Sequence, residues 1–426
     1  MRRSTALAGL AAASLVLAAC GGGNEGGGED SGGGGGDSAS EVEVFTWWAA
    51  GSELTGLEAL EEVFAEQHPD TKFINGAVAG GAGSAAKDLL QTRLQSGNPP
   101  DTFQAHAGME LKDYIDAGQL EDVSDLYEEF GLTDAFPDDL IDLLTVEGAI
   151  YSIPSNIHRS NVVWANPDVL DEAGVDPEAR PETLDEWIED LQQVDDSGAV
   201  ALSVAAPWTQ VHLFETVLMA DLGVDGYNGL WNGETDWSST EVTTALEHFE
   251  TLMDFTNTDR DGLDWPDSTQ MVIDGEAAYN VMGDWAVALF EENDVERGSG
   301  FIDFPVPGTD GQFGFLADSF TLPVGAPHPD GAKAWLDTIG SLDGQVAFNK
   351  AKGSIPARTD ADPEEFSEYQ QSAIESYASD DIVASLAHGA AASVTVLNGV
   401  ENAISKFTSG GSDISTLQEE LVAAVE

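Results

Sequence analysis

The stretch from Glu41 to His106 narrows the fold most sharply. Glu41-Val42-Glu43-Val44-Phe45 alternates polar and apolar residues, the period of a half-buried strand. Leu57, Leu60, Val63 and Phe64 then recur at helical spacing, and Pro69-Asp70 ends that helix. Lys72-Phe73-Ile74 predicts a second strand. Gly80-Gly81-Ala82-Gly83 opens a helix with Leu89, Leu90 and Leu94 on one face, and Asn98-Pro99-Pro100-Asp101 is a strong turn. Thr102 to His106 reads as a third strand. This order is that of an α/β unit on a mostly parallel sheet.

From Glu41 onward the chain has roughly 385 residues, more than one typical core, so two lobes are expected. Ile150-Tyr151-Ser152-Ile153-Pro154 and Phe304-Pro305-Val306-Pro307 are candidate crossings between them. They assign 41–153 and 303–340 to an N-terminal lobe, and 154–302 and 341–426 to a C-terminal lobe. Helical patterns dominate after Gly331, at Ala332 to Ile339 and Asp413 to Val425. There is no internal repeat.

The N-terminus is of another kind. Arg2 and Arg3 precede an apolar run, Ala6 to Ala19, too short for a stable bilayer span but suited to a secretory signal over residues 1–19. The rest of a twin-arginine export motif is missing. The run ends in Leu17-Ala18-Ala19-Cys20-Gly21, which resembles the bacterial lipobox and implies lipidation of Cys20. As the single cysteine of the chain, Cys20 has no partner for an internal disulfide. Residues 20–40 are glycine-rich and carry scattered acids, a composition that buries no core and reads as a tether. Random-coil scaling gives it a span of about 25 Å. The expected location is therefore outside the cytoplasm, on the cell membrane through a lipid anchor. More than one acyl chain would make that anchoring stable.

Fifteen basic residues face 78 acidic ones, for a net charge of −63. Phosphates would be repelled, so nucleic acid and an anionic membrane surface are excluded as partners. The acids are dispersed, a pattern resembling proteins of saline habitats, where screening removes self-repulsion. No calcium loop explains them: in the nearest match, Asn257-x-Asp259-x-Asp261-Gly262, Ser268 stands where the closing Glu belongs.

Several segments, in order along nearly the whole body, resemble the carbohydrate-binding components of ABC importers, family 1 of the extracellular solute-binding proteins. They are Phe45-Thr46-Trp47-Trp48, Gly80-Gly81-Ala82-Gly83, the run from Pro100 to Glu110, and Asn156-Ile157-His158-Arg159-Ser160-Asn161. Then follow Leu230-Trp231-Asn232-Gly233, Val281-Met282-Gly283-Asp284-Trp285, Ala317-Asp318-Ser319-Phe320, Lys352-Gly353-Ser354-Ile355 and His388-Gly389. The similarity is greatest to the glucose-binding subgroup. It implies a periplasmic-binding-protein-like (type II) α/β fold, two lobes joined by hinge strands, with the ligand in the cleft between them. It also implies a monosaccharide ligand (glucose, galactose or mannose) and the membrane permease subunits of an importer as partner.

A pyranose offers C–H faces to aromatic rings and hydroxyls to planar hydrogen-bonding groups. Gln104 and His106 share a face at the C-terminal end of a predicted strand, where open α/β sheets place ligands. Trp47 and Trp48 end another strand and point to opposite faces, so one should face the cleft; the resemblance favours Trp48, with Trp47 close behind. Trp285, Trp265, Asp318, Lys352 and His388 join the binding set through the resemblance. Asp318 alone would read as one more solvated acid, whereas Lys352 is one of few lysines. Trp208 and Trp231 read as structural, His158 and Arg159 as hinge residues, and Glu110 as a weaker candidate.

The competing readings are a receptor for an oligosaccharide or polyol and a surface glycoside hydrolase. The second needs two carboxylates about 5–9.5 Å apart, which so acidic a chain supplies anywhere. G-x-S-x-G, H-E-x-x-H and P-loop motifs are absent. We expect no catalysis, cofactor or metal, and a monomer.

Overall fold

The computed structural model describes residues 40–79 and 83–425. The signal, Cys20, nearly all of the tether and residues 80–82 lie outside them.

The first sheet has the order Thr71–Asn75, Ser40–Phe45, Thr102–His106, Asp318–Thr321, Ser152–Pro154. Its first three strands are parallel, as the strand–helix alternation requires. The last two join antiparallel, in a register that sets Asp318 opposite His106. Val42, Val44, Leu57, Leu60, Phe64, Phe320 and Trp335 are buried around this sheet. On the Ser84–Gln95 helix Leu90 is buried but Leu89 is 44% exposed, so the expected three-leucine face does not form. Adjacent helical residues lie about 100° apart, and packing selected Leu90.

A second sheet runs Ile302–Pro305, Val162–Ala165, Ala277–Val281, Val200–Ser203. Its core includes Val163, Trp187, Leu202, Phe214 and Phe249. A third, small sheet combines Asp381–Ala384, Gln312–Leu316 and His158–Arg159. The chain runs through this sheet between the first and second: outward at His158–Arg159, back at Gln312–Leu316.

Two segments pack differently from the sequence-based division. Ile302–Pro305 is an edge strand of the second sheet, paired with Val162–Ala165, so the return lies further on, at Gln312–Leu316. Leu342–Lys352 packs on the Gly51–Gln67 helix beside the first sheet. Pro305 marks a break in the sequence, but strand pairing and helix docking are settled by distant partners.

Candidate functional site

A cavity of about 220 Å³ lies where the C-terminal ends of Ser40–Phe45 and Thr102–His106 approach Trp208, Trp265 and Trp285. Four tryptophans wall it: Trp47, Trp208, Trp265 and Trp285. Polar groups are supplied by Glu53, His106, His158, Asp264, Asp318, Lys352 and His388.

Asp318 is the centre of the polar network. Its Oδ1 accepts from Gln104 Nε2 at 2.8 Å and its Oδ2 from Asn156 Nδ2 at 2.9 Å. His106 Nε2 lies 3.8 Å from Oδ1 and His158 Nε2 3.5 Å from Oδ2. Burial would raise its pKa, but His158, His106 and Lys352 together hold the carboxyl far below the usual range. Asp318 is therefore a carboxylate at all physiological pH. His158 in turn donates from Nδ1 to Asp284, whose other oxygen accepts the Arg159 backbone N–H at 2.9 Å. Asp284, at the end of the second sheet, is thus tied to the third sheet, and through His158 to Asp318 in the first.

Lys352 is buried, with Nζ 3.5 Å from Glu53 Oε1 and 5.7 Å from the Trp285 ring centroid. Desolvation pushes the Glu53 carboxyl up, against the attraction of Lys352. Trp285 meets His158 and His388 edge-on at 5.1 and 5.2 Å. His106 lies against Trp47 at 5.0 Å and donates from Nδ1 to Glu110 Oε2 at 2.7 Å. Lys87 Nζ donates to the same oxygen at 2.9 Å.

Glu110 supports the site without lining it. Burial would raise its pKa, but Lys87 and His106 outweigh this and lower it to about 2. A depressed carboxylate stabilises the fold above its unfolded pKa, and that contribution is lost as pH falls through the folded value. The wild type should therefore lose roughly 3 kcal/mol relative to Glu110→Gln as pH falls from 4.5 to about 2, as read by urea unfolding. Parallel acid limbs for the two proteins would contradict this.

Of the expected site residues, Trp47, His106, Trp265, Trp285, Asp318, Lys352 and His388 line the cavity. Trp48 does not: it is fully buried between Phe320 and Phe348, at ring distances of 5.4 and 4.6 Å. Trp47 takes the cavity side instead, against Gly83, where a Cβ would lie 2.7 Å from the ring. Gln104 is also behind the wall. Its Oε1 accepts from Thr46 Oγ1 and the Trp47 backbone N–H, and its Nε2 orients Asp318. It shares the His106 face but lies one pleat deeper, covered by these partners. Trp231 packs on Tyr227 and Trp237 away from the cavity. Cys20 lies outside the described residues.

Sequence reasoning missed Glu53 and Asp264 and undervalued Trp208 and His158 as cavity residues. Asp264 caps the Trp265–Ile273 helix, a role with a local signature, Asp264-Trp265-Pro266-Asp267. Glu53 had no such signal among the many acids.

His212, Glu215 and His388 place donor atoms within 4.8 Å of one another, the only such three-residue metal-type group among the described residues. Both Glu215 oxygens are already engaged, however. Ser385 Oγ lies 2.8 and 3.0 Å from them, and the Ala387 N–H donates at 2.8 Å. The arrangement is a hydrogen-bonded one.

The pattern of the bacterial extracellular solute-binding proteins matches residues 51–346 of this chain. The chain belongs to that family. It is 32% identical over 390 residues to an uncharacterized ABC transporter extracellular-binding protein of Pyrococcus horikoshii, covering 91% of this chain and 87% of the relative. It is 30% identical over 393 residues to the xylose/arabinose-binding protein XacG of Haloferax volcanii, covering 91% and 84%. Among solved structures, the bacterial solute receptor AcbH, described as exclusive for β-D-galactopyranose, superposes with a TM-score of 0.79 at 16% identity, covering 90% of this chain and 97% of the receptor. The fold is thus the mixed α/β periplasmic-binding-protein type. As an extracellular solute-binding protein the chain is a binder, not an enzyme.

Proposed function

We propose that this solute-binding protein captures one monosaccharide, glucose or a close relative such as galactose or mannose, and presents it to the permease subunits of an ABC importer. The observation that carries the reading is the cavity wall. Four tryptophans share it with the buried polar groups of His106, His158, Asp318, Lys352 and His388, the two surfaces a pyranose requires. A volume of about 220 Å³ is below the roughly 300–1,000 Å³ of pockets for drug-sized ligands, which favours one ring over a chain. The name of the Haloferax relative, a xylose/arabinose-binding protein, points to single sugars as well.

On this reading the first and second sheets are the cores of two lobes, and the third sheet is the hinge between them. Ligand bridging Asp318 and Trp285 would hold the lobes closed, the form an importer prefers. Cys20, once lipidated, would keep the receptor at the membrane from which the importer draws.

Calorimetric titration with glucose, galactose, mannose, xylose, arabinose and a disaccharide tests the proposal. The expected result is a single-site isotherm with a hexose and a weaker or absent one with the disaccharide. Preference for the disaccharide would move the reading to an oligosaccharide receptor. No response to any sugar would overturn it.

A further inference from the structure

Behind the cavity wall, His388 is the end of a chain of hydrogen bonds that the binding reading does not use. Its ring lines the cavity, and Nδ1 lies 2.8 Å from Ser385 Oγ. Nε2 is buried and has no partner. Ser385 Oγ also meets the buried Glu215 carboxyl, on the Pro207–Asn232 helix.

A serine hydroxyl has one proton to give, so the direction of this chain is all-or-none. With Glu215 ionised, Ser385 donates to the carboxylate and accepts from His388 Nδ1–H. His388 Nε2 is then a bare acceptor. With Glu215 protonated, the carboxyl donates to Ser385, Ser385 donates to Nδ1, and Nε2 carries the proton. The His388 backbone N–H donates to Ser385 Oγ at 3.3 Å in either case.

We infer that Glu215 and Ser385 are positioning residues that set whether His388 accepts or donates a hydrogen bond to the bound ligand. The inference rests on the sugar-capture reading for the ligand, but the tautomer itself is a property of the free protein.

The surroundings keep the relay intact. Ala387 N–H holds Glu215 Oε2, and Leu386 N–H donates to Tyr227 Oη at 3.2 Å. His212 and Tyr227 face Glu215 from its own helix, and Ser160 from the loop after His158–Arg159. His388 faces His212, His106, Lys87 and His158. Burial above all, with the electrostatics of these neighbours adding to it, holds its pKa well below the ordinary value, so it stays neutral and has a tautomer to choose. Burial also raises Glu215 to about 7, so both directions are within reach near neutrality.

Glu215→Gln separates the two states. Ala387 N–H remains a donor and selects the amide oxygen, so the amide NH₂ turns to Ser385 and enforces the reversed direction. Ring-nitrogen NMR of ¹⁵N-histidine-labelled protein reads the result. In the wild type, His388 should carry its proton on Nδ1 above a pH of about 7 and on Nε2 below it. In Glu215→Gln it should carry the proton on Nε2 throughout. Ser385→Ala, which keeps the backbone contacts, should leave a mixture. An unchanged His388 tautomer in both variants overturns the inference.

A ligand readout uses monofluorinated analogues of whichever sugar binds, since fluorine only accepts. Above that pH, the analogue fluorinated at the hydroxyl facing His388 should bind the wild type about tenfold more weakly than the parent sugar and regain this in Glu215→Gln. If one analogue is weakened equally in both proteins and none is regained, the relay does not reach the ligand and the inference fails. If no sugar binds at all, the capture reading fails, and the nitrogen spectra alone decide the relay.

Discussion

Asp318→Ala should weaken sugar binding on the order of 100-fold, about 2.7 kcal/mol, and destabilise the protein. The carboxylate accepts from Gln104 and Asn156 and faces His106 and His158. Removing one partner of a buried charged network leaves the others uncompensated, which costs about 3–5 kcal/mol. Asp318→Asn keeps the shape but loses the charge and turns its NH₂ toward Gln104 Nε2 or Asn156 Nδ2, themselves donors, so it should recover neither the affinity nor all of the stability. Calorimetry for binding and urea unfolding for stability separate these effects. Affinity within a few-fold of wild type in the asparagine variant would remove Asp318 from the binding set.

Gly283→Ala is a small change expected to take Trp285 out of the aromatic wall. A Cβ there would lie 2.1 to 2.5 Å from three carbons of the Trp285 ring. The ring cannot stay, and it would leave its contacts with Lys352, His158 and His388. Binding should fall on the order of tenfold or more, about 1.4 kcal/mol at the least. The tryptophan emission should shift as the ring moves into water. Gly283 is not in the left-handed region, so alanine strains no backbone there and the fold should persist. Wild-type affinity in this variant would mean that Trp285 does not contact the ligand.

Local pattern carried most of the first sheet. The strand at Ser40–Phe45 is announced by alternation and the helix after it by spacing, and the strand–helix order to His106 is legible because parallel strands and their connecting helices are contiguous in the chain. The antiparallel addition of Asp318–Thr321 was not legible, since its partner strand is Thr102–His106, more than two hundred residues earlier. The Trp47/Trp48 choice shows the same limit at one residue. Alternation says that the two rings diverge, but only Phe320, Phe348 and Gly83 decide which one is enclosed. Glu53 was hidden for a different reason. In a chain with 78 acids, a carboxylate carries no signal until a buried lysine is found beside it.

By itself the sequence determined the class of the fold, the early strand–helix alternation, and the aromatic and polar residue types available to a site. These follow from periodicity and side-chain chemistry, which act over a few neighbours. The tertiary structure decided which of those residues meet. Asp318 faces His106 through strand register, and Glu215 reaches His388 through Ser385 across 170 residues of chain. Such contacts are fixed by the packing of whole elements.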